Sequence, residues 1–257
     1  MDKIMTYILV FGCVLVCNAG AQEVCWDKNL AEKAADINKV GVIEVMGGEY
    51  RIVNNVWRGA TEQCLDVNIN STYFSVSKST HDSNAVVSYP SIIKGKHFGF
   101  ENTKNSGMPI QISKIAAAQV DWKVGVNKVK GTWNTAFEAW FSKTGGTVPD
   151  GAELMIWLNH MGNIMPSGGE KTATITVAGT QWNVHYDTMK NWKYIAYERV
   201  QLGNSANFDL KDFIDDAVSR GWLEKTWWLD SMEAGFEIEQ DGKGLTNKEF
   251  KAMVTAK

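Results

Sequence analysis

The sequence predicts a single all-β domain, a sandwich or a barrel of short strands, with one helix packed against it. Its 257 residues fit one large domain of this kind. Runs of β-branched and aromatic residues, each bounded by Gly, Asn, Asp or Pro, recur along the chain and are typical of strands. They cover residues 50–56, 73–77, 85–89, 120–126, 135–141, 153–158, 172–177, 181–186 and 194–200. Their spacing favours a sandwich or a barrel over βαβ units, and no linker or repeat divides residues 22–257.

One segment departs from the strand pattern. Residues 208–223 carry an apolar stripe at helical spacing, which is formed by Leu210, Phe213, Ile214, Ala217 and Val218. Asp209 stands where its side chain can cap the first turn. An amphipathic helix on the back of the sandwich accounts for this segment.

The composition narrows the classes of function. Acidic and basic residues are well mixed and the net charge is −3, so the sequence shows no electrostatic footprint for nucleic acid. The histidines, His81, His97, His160 and His185, lack the spacing of metal ligands, and no phosphate loop or other cofactor motif occurs. Eleven Trp residues are many for one domain, because a buried indole N–H must find a partner. Half-exposed indoles suit a ligand with flat apolar faces, such as a pyranose ring; the alternative is that most of them are core residues.

The first 21 residues have the pattern of an export signal. Lys3 provides a positive start, residues 4–16 form an apolar run, and Ala19-Gly20-Ala21 is a small-residue cleavage pattern. The run is shorter than the roughly 20 residues needed to cross a bilayer. We therefore expect a signal peptide at residues 1–21 and a mature chain that begins near Gln22 and has no membrane anchor. This chain would be secreted outside the cell, or into the periplasm of a Gram-negative bacterium.

Removal of the signal leaves one pair of cysteines. Cys13 and Cys17 lie within it, and Cys25 and Cys64 remain; cleavage as a lipoprotein at Cys13 or Cys17 is the alternative. An even pair in an exported protein favours a disulfide, with two buried free thiols as the alternative. The bridge would close a loop of about 40 residues and stabilise the fold by roughly 4 kcal/mol in the loop-entropy model.

Residues 153–158 carry the most informative pattern. Alternate side chains of a strand point to opposite faces of its sheet. The aliphatic residues at positions 154, 156 and 158 therefore share a face that belongs against the core, while Glu153, Met155 and Trp157 share the other. An acid, a thioether and an indole in line suit neither a core nor a solvated face. They suit the floor of a sugar cleft, where the indole stacks on a ring and the acid performs the chemistry.

A second acid follows from the same alternation. Glu237 points away from its apolar neighbours at positions 236 and 238. Gly235, on the same face as Glu237, leaves room for another backbone or a ligand.

Two further segments repeat the scheme. Glu138 and Trp140 share one face of their strand, and Asn55 and Trp57 share one face of theirs. Periodicity leaves open whether these faces coincide, and a strand glutamate taken alone is usually a solvated surface charge.

Four motifs occur in an order that resembles glycoside hydrolase family 12, the β-jelly-roll endoglucanases and xyloglucanases, over essentially the whole mature chain. They are Asn54-Asn55-Val56-Trp57, Tyr89-Pro90-Ser91-Ile92-Ile93-Lys94-Gly95-Lys96-His97-Phe98-Gly99, Glu153-Leu154-Met155-Ile156-Trp157-Leu158 and Glu233-Ala234-Gly235-Phe236-Glu237. The third motif, which matches the nucleophile strand of the family, is the most specific. Cys25 and Cys64 stand where some members have a disulfide. The resemblance implies a jelly roll of two antiparallel sheets with the helix on the convex side.

The resemblance also implies roles for single residues. Glu153 would be the nucleophile and Glu237 the general acid/base of a retaining double displacement, which requires carboxyl groups about 5–5.5 Å apart. Glu138 stands where members have a further acid, commonly Asp, that supports the nucleophile; its longer side chain departs from that pattern. The residues implied in substrate binding are Asn55, Trp57, Met155, Trp157, Pro166 and His97. For His97, a packed or surface histidine is the alternative.

The expected activity is that of a secreted endo-β-1,4-glucanase, monomeric and without metal or cofactor. Its substrates would be β-glucan polysaccharides of the cellulose, mixed-linkage or xyloglucan type. A xyloglucan-specific enzyme is one alternative, and a jelly-roll carbohydrate-binding protein without catalysis is another. Loops near residues 99–110 and 163–170 would decide between the substrates, and the sequence leaves that choice open.

Overall fold

Strands dominate the structure, as predicted. A computed structural model describes residues 20–26, 41–57, 61–97, 99–146 and 148–257. The strands are β1 (Ala21–Trp26), β2 (Val42–Val45), β3 (Tyr50–Val53), β4 (Gln63–Asn68), β5 (Phe74–Ser79), β6 (Ser91–Gly95), β7 (Ile110–Gln111), β8 (Ile115–Gly125), β9 (Gly131–Ser142), β10 (Ala152–Met161), β11 (Ala173–Val177), β12 (Thr180–Thr188), β13 (Lys193–Arg199), β14 (Ser205–Asp209), β15 (Trp228–Gly235), β16 (Ile238–Asp241) and β17 (Thr246–Ala256). Among the described residues, the α-helix is α1 (Leu210–Ser219).

The strands form two sheets. The smaller sheet has the order β1-β4-β5-β17-β8-β14, and the larger has the order β11-β12-β13-β10-β9-β15-β6-β3-β2, with β16 paired to β9 and β7 to β15. Fully buried rings from the two sheets and from the segment after β15 meet between them. The ring centroids of Phe137 and Phe250 are 6.4 Å apart, and those of Phe74 and Phe236 are 5.8 Å apart. These contacts confirm the predicted sandwich.

Strand alternation determines what each face of the larger sheet carries. Leu154 and Ile156 of β10 are fully buried in the core between the sheets. Glu153 and Met155, which alternate with them, therefore project from the face turned away from the smaller sheet. We call this the outer face.

Helix α1 packs on the core side of the larger sheet, opposite the outer face. The Asp209 side chain accepts a hydrogen bond from the Lys211 N–H, which confirms the predicted cap. Phe213 lies edge-on to Trp182 and Tyr197, with ring centroids 5.3 and 5.0 Å away. The helix thus covers the predicted side. It begins later than expected because the residues before it form β14.

Two features differ from the expectation. β10 and β13 run parallel, whereas antiparallel sheets throughout were expected. β11 and β12 lie between them in the sequence and supply the long connection that a parallel pair requires. Residues 85–89 form no strand; Ser88 makes isolated bridges to Val56 and Ile238 instead.

The N-terminal strand is fixed by a covalent bond. β1 pairs with β4, and Cys25 is bonded to Cys64, which confirms the expected disulfide. The expected signal peptide, residues 1–21, lies almost entirely outside the described residues. In the part of the chain that the structure describes, no helix has the length and apolar character needed to span a membrane.

Candidate active site

Acidic residues from three strands share the outer face. Across β9 and β10, Trp140 lies opposite Glu153 and Glu138 lies opposite Met155. Across β9 and β15, Glu138 lies opposite Glu233. Residues directly opposite each other project from the same face of a sheet. The strand register therefore places Glu138 and Glu153, whose faces the sequence pattern left separate, on one face together with Glu233.

Glu153 is a buried carboxyl. Its residue is 8% exposed, and this burial, followed by the charge of Glu237, raises its pKa. The indole N–H of Trp192 donates to Glu153 Oε2 at 2.9 Å. A bond to the charged form opposes the rise in pKa, because it stabilises the carboxylate.

Glu237 follows β15 and is held by Asn134 of β9. The Asn134 side-chain amide donates to the Glu237 carboxylate, and its Oδ1 accepts the Glu237 backbone N–H at 3.1 Å. Burial raises the pKa of Glu237 to about 7, and the bond from Asn134 opposes this rise. A carboxyl with such a pKa can donate and accept a proton near neutral pH.

Gly235 lets the end of β15 approach a neighbouring backbone. A side-chain carbon at Gly235 would lie 2.3 Å from the Pro90 carbonyl oxygen. That oxygen also accepts the Phe236 N–H at 3.2 Å. Gly235 thus leaves room for another backbone, as predicted, and a side chain at this position would displace the segment that carries Glu237.

Glu138 is the third carboxyl of the outer face. Burial raises its pKa well above the ordinary value, and the charges of Glu153, Glu233 and Glu237 raise it further. The Trp140 indole N–H donates to Glu138 Oε2 at 3.0 Å. Glu138 thus interacts with Glu153 through charge, while an indole holds its position.

Glu233 is a fourth carboxyl, and the sequence interpretation gave it no role. It is fully buried. Its Oε1 lies 2.7 Å from His97 Nδ1 and also accepts the Ser231 hydroxyl. His97, which was assigned to substrate binding, is mostly buried and forms an edge-on contact with Trp140 at 6.0 Å. The alternation at positions 233, 235 and 237 was the signal that could have placed Glu233 on this face.

Asn55 and Trp57 lie on a segment that is linked to the strand after Glu237 through hydrogen bonds of Val87. Asn55 has a left-handed backbone, with φ of 44°, a conformation that Asn tolerates better than most residues. The Trp57 N–H donates to the Val87 carbonyl at 3.0 Å, and the Val87 N–H donates to Ile238 at 2.9 Å. Trp57 is 47% exposed, so its indole is open to a ligand.

Met155 and Trp157 lie deeper than the predicted floor of a cleft. They are 0% and 1% exposed and pack with Ile164, which belongs to the loop after β10. Within the described residues, the Trp157 indole N–H has no hydrogen-bond partner. The same loop carries Pro166, which is buried. The substrate-binding roles of these three residues stay predictions.

The loop after β10 is anchored to the larger sheet. The Ser167 hydroxyl donates to Asp187 at 2.8 Å, and His185 Nδ1 lies 2.9 Å from the Gly169 carbonyl oxygen. These bonds hold the loop over the outer face of β12 and β13.

Two residues that contact the acids escaped the sequence interpretation. Trp192 lies in the turn between β12 and β13, where strand alternation gives no signal. Asn134 lies on β9, but its bond to Glu237 depends on a strand pairing that no local pattern reveals. Among the described residues, one group could offer three metal ligands, Glu23, Cys25 and Cys64. The disulfide engages both of its sulfur atoms.

Comparison with known proteins identifies relatives of this chain. A family model described as Glycosyl hydrolase family 12 matches residues 48–255. Endoglucanase S of Pectobacterium parmentieri is 28% identical over 220 residues, which are 80% of this chain and 81% of the relative. A xyloglucan-specific endo-β-1,4-glucanase A of Emericella nidulans is 26% identical over 200 residues, which are 74% of this chain and 79% of the relative.

Solved structures agree with the fold. An endoglucanase of Rhodothermus marinus is 37% identical, with a TM-score of 0.82 over 92% of this chain and 100% of that chain. A family 12 xyloglucanase of Bacillus licheniformis is 28% identical, with a TM-score of 0.72 over 83% of this chain and 97% of that chain. This similarity confirms the predicted jelly-roll sandwich.

Proposed function

Because the chain belongs to glycosyl hydrolase family 12, we propose that it is an endo-β-1,4-glucanase that cuts internal bonds of β-glucan chains with retention of configuration. The observation that carries the proposal is the pairing of Glu153 with Glu237. Both side chains are on the outer face, and the charge of Glu237 raises the pKa of Glu153. Binding of a polysaccharide requires no such pair, whereas its hydrolysis does.

The reaction uses the two carboxyls in different protonation states. Mutual repulsion favours a state in which the pair holds one proton near neutral pH. Ionised Glu153 attacks the anomeric carbon while protonated Glu237 gives its proton to the departing glycosidic oxygen. In the second step Glu237 takes a proton from water, and this water releases the sugar from Glu153.

The substrate class is the β-1,4-linked glucan backbone. Two features support it: the relatives are named endoglucanases and xyloglucanases, and the Trp57 indole is exposed beside Asn55. An indole of this kind stacks on the apolar face of a pyranose ring. Initial rates on carboxymethylcellulose, barley β-glucan and xyloglucan would rank the three polysaccharides as substrates. Activity on xyloglucan alone would identify the xyloglucan-specific alternative.

The proposed site of action is outside the cytoplasm. The signal pattern at residues 1–21 supports export, and the Cys25–Cys64 disulfide is of a kind that persists in oxidising compartments. The mature enzyme would act as a monomer. Size-exclusion chromatography of the secreted protein tests the monomeric state, and sequencing of its N-terminus tests the removal of residues 1–21.

Two substitutions test the catalytic pair. Glu153→Gln and Glu237→Gln should each lower kcat/KM on barley β-glucan by about 10³-fold or more, because each removes a reacting group. Glu62→Gln, at a surface carboxyl paired with Lys78, is the matched control and should keep the wild-type rate. Near-wild-type turnover in either active-site variant would contradict the mechanism.

Two further measurements separate the roles of the acids. A dinitrophenyl cellobioside has a leaving group that needs no proton, so Glu237→Gln should still release a burst of dinitrophenol while Glu153→Gln should not. Proton NMR of early glucan products should show the β-anomer first, and the α-anomer first would mean inversion. A wild-type protein that binds glucan without producing reducing ends would be the non-catalytic carbohydrate-binding protein.

A further inference from the structure

Two packed indoles each hold one carboxyl of the outer face. The Trp192 N–H donates to Glu153 Oε2 at 2.9 Å, and the Trp140 N–H donates to Glu138 Oε2 at 3.0 Å. The two rings lie edge-on, with centroids 5.5 Å apart and an interplanar angle of 65°. Such contacts are favourable for aromatic pairs, so each ring limits the rotation of the other.

Trp192 is also held by its backbone. Its carbonyl accepts the Met189 N–H at 2.9 Å, and the next residue, Lys193, donates its N–H to Gly151 at 3.1 Å. Gly151 lies two residues before Glu153, so the turn that carries the indole is bonded to the start of the strand that carries the acid. The distance between donor and acceptor is therefore fixed by neighbouring backbone bonds.

The surroundings of Glu153 otherwise oppose its charge. The titratable groups that face it from the adjoining elements are Glu138, Glu233, Glu237, Tyr89 and Tyr194. In the described part of the chain, Trp192 is the side chain that donates a hydrogen bond to Glu153. An indole N–H donates and cannot accept, so this bond stabilises the ionised carboxyl.

We propose that Trp192 is a positioning residue that favours the ionised form of Glu153 and holds its Oε2, leaving Oε1 free to attack the anomeric carbon. The inference rests on the proposed function, because it concerns the nucleophile of that reaction. Trp140 has the matching place at Glu138, and its edge-on contact keeps the Trp192 ring in position.

Trapping of the nucleophile tests this role. A 2,4-dinitrophenyl 2-deoxy-2-fluoro-β-cellobioside labels a nucleophilic carboxylate without help from an acid, so the pH dependence of labelling reports the ionisation of Glu153. Trp192→Phe keeps an aromatic ring but lacks the N–H. We expect its labelling midpoint to move up by about one pH unit, because a donor to the carboxylate is lost. Well below the midpoint, labelling should be about tenfold slower than in the wild type.

Controls separate this inference from the proposed function. Trp222→Phe is the matched control; Trp222 stacks on Tyr186, with ring centroids 4.6 Å apart, and its variant should keep the wild-type midpoint. An unchanged midpoint in Trp192→Phe would overturn the inference while the function stands. Absence of label on the Glu153 peptide of the wild type would overturn the proposed function itself.

A second measurement does not depend on the folding of Trp192→Phe. In ¹⁵N-tryptophan-labelled wild-type protein, one indole N–H signal should shift with pH as Glu153 titrates. The same signal should be insensitive to that titration in Glu153→Gln, which keeps a carbonyl acceptor. If no indole signal loses its pH dependence in Glu153→Gln, Trp192 does not sense the charge of Glu153 and the inference is wrong.

Discussion

Two buried polar clusters of this molecule differ in charge and in how well their groups are bonded. The amide cluster consists of Asn54, Gln63, His81 and Ser88, which are all buried. Gln63 Nε2 donates to Asn54 Oδ1 at 2.7 Å, and Gln63 Oε1 lies 2.8 Å from His81 Nε2 and 3.0 Å from Ser88 Oγ. Neutral groups thus satisfy one another beneath the segment that carries Asn55.

The carboxyl cluster consists of Glu138, Glu153, Glu233 and Glu237, and its members repel one another. Burial and neighbouring charges raise the pKa of Glu138 and Glu153, and in the described residues the Oε2 of Glu233 has no hydrogen-bond partner. Buried polar groups stabilise a fold when all of them are bonded and destabilise it when they are not. The amide cluster therefore stabilises the fold around the site. The carboxyl cluster lowers the stability of the fold and supplies the reactive groups.

The largest effect is expected from breaking the amide cluster. Gln63→Leu leaves Asn54, His81 and Ser88 without their shared partner, and we expect the free energy of unfolding to fall by about 4 kcal/mol. Urea unfolding measures this. Gln119→Leu removes an amide bonded to Asp209 on the surface and should change the value by less than about 0.5 kcal/mol. A loss below about 1 kcal/mol for Gln63→Leu would mean that the cluster contributes little.

In the carboxyl cluster, a substitution should lower activity without lowering stability. Glu138→Gln should lower kcat by about 100-fold, roughly 2.7 kcal/mol, because the charge environment of Glu153 changes. Its free energy of unfolding should not decrease, since the substitution removes a buried acid whose ionised form is disfavoured by burial and by the neighbouring charges. Steady-state kinetics test the expected decrease in kcat, and urea unfolding of the same preparation tests the expected stability. A variant that is both fully active and destabilised would refute the contrast between the clusters.

The amide cluster should also give stability a dependence on pH. Burial lowers the pKa of His81 from 6.5 to about 4 in the folded chain. Between these pH values the unfolded chain binds a proton that the folded chain does not, so the free energy of unfolding decreases as pH falls from 6.5 to 4. After allowance for partial solvation, we expect a decrease of about 2 kcal/mol. His81→Gln should flatten this part of the profile in urea unfolding at pH 7, 5.5 and 4.5, and an unchanged profile would contradict the assignment.

The smallest effect has the opposite sign and concerns Asp230, a buried acid near the start of β15. Burial raises its pKa from 3.8 to about 6. Between these values the folded chain binds a proton that the unfolded chain does not, so this contribution to stability is lost as pH rises from 3.8 to 6. Asp230→Asn should therefore be more stable than the wild type by about 1 kcal/mol at pH 7. Equal or lower stability would show that the bond from Ser142 to Asp230 outweighs the burial of charge.

The features that sequence could predict are those set by local geometry. Alternation along β10 was enough to place Glu153 and Met155 on one face and Leu154 in the core, because side chains of any strand alternate. The same rule placed Glu237 and Phe236 on opposite faces of the sheet. The helix and its Asp209 cap followed from a local pattern of apolar spacing.

The features that sequence could not predict depend on contacts between distant segments. The burial of Trp157 depends on Ile164, whose loop is held by bonds to β12. The position of Trp192 depends on a turn that is bonded to Gly151, and the parallel pairing of β10 with β13 depends on the path of the two strands between them. No local period carries such information.

The position of β17 in the smaller sheet has a consequence for folding during synthesis. This strand is the last in the chain, yet it lies inside the smaller sheet, between β5 and β8. During synthesis, neither neighbour can pair with it until residues 246–256 have been made, and such long-range pairing is intrinsically slow. The smaller sheet therefore closes late, and until then β5 and β8 each expose an edge that has no partner strand.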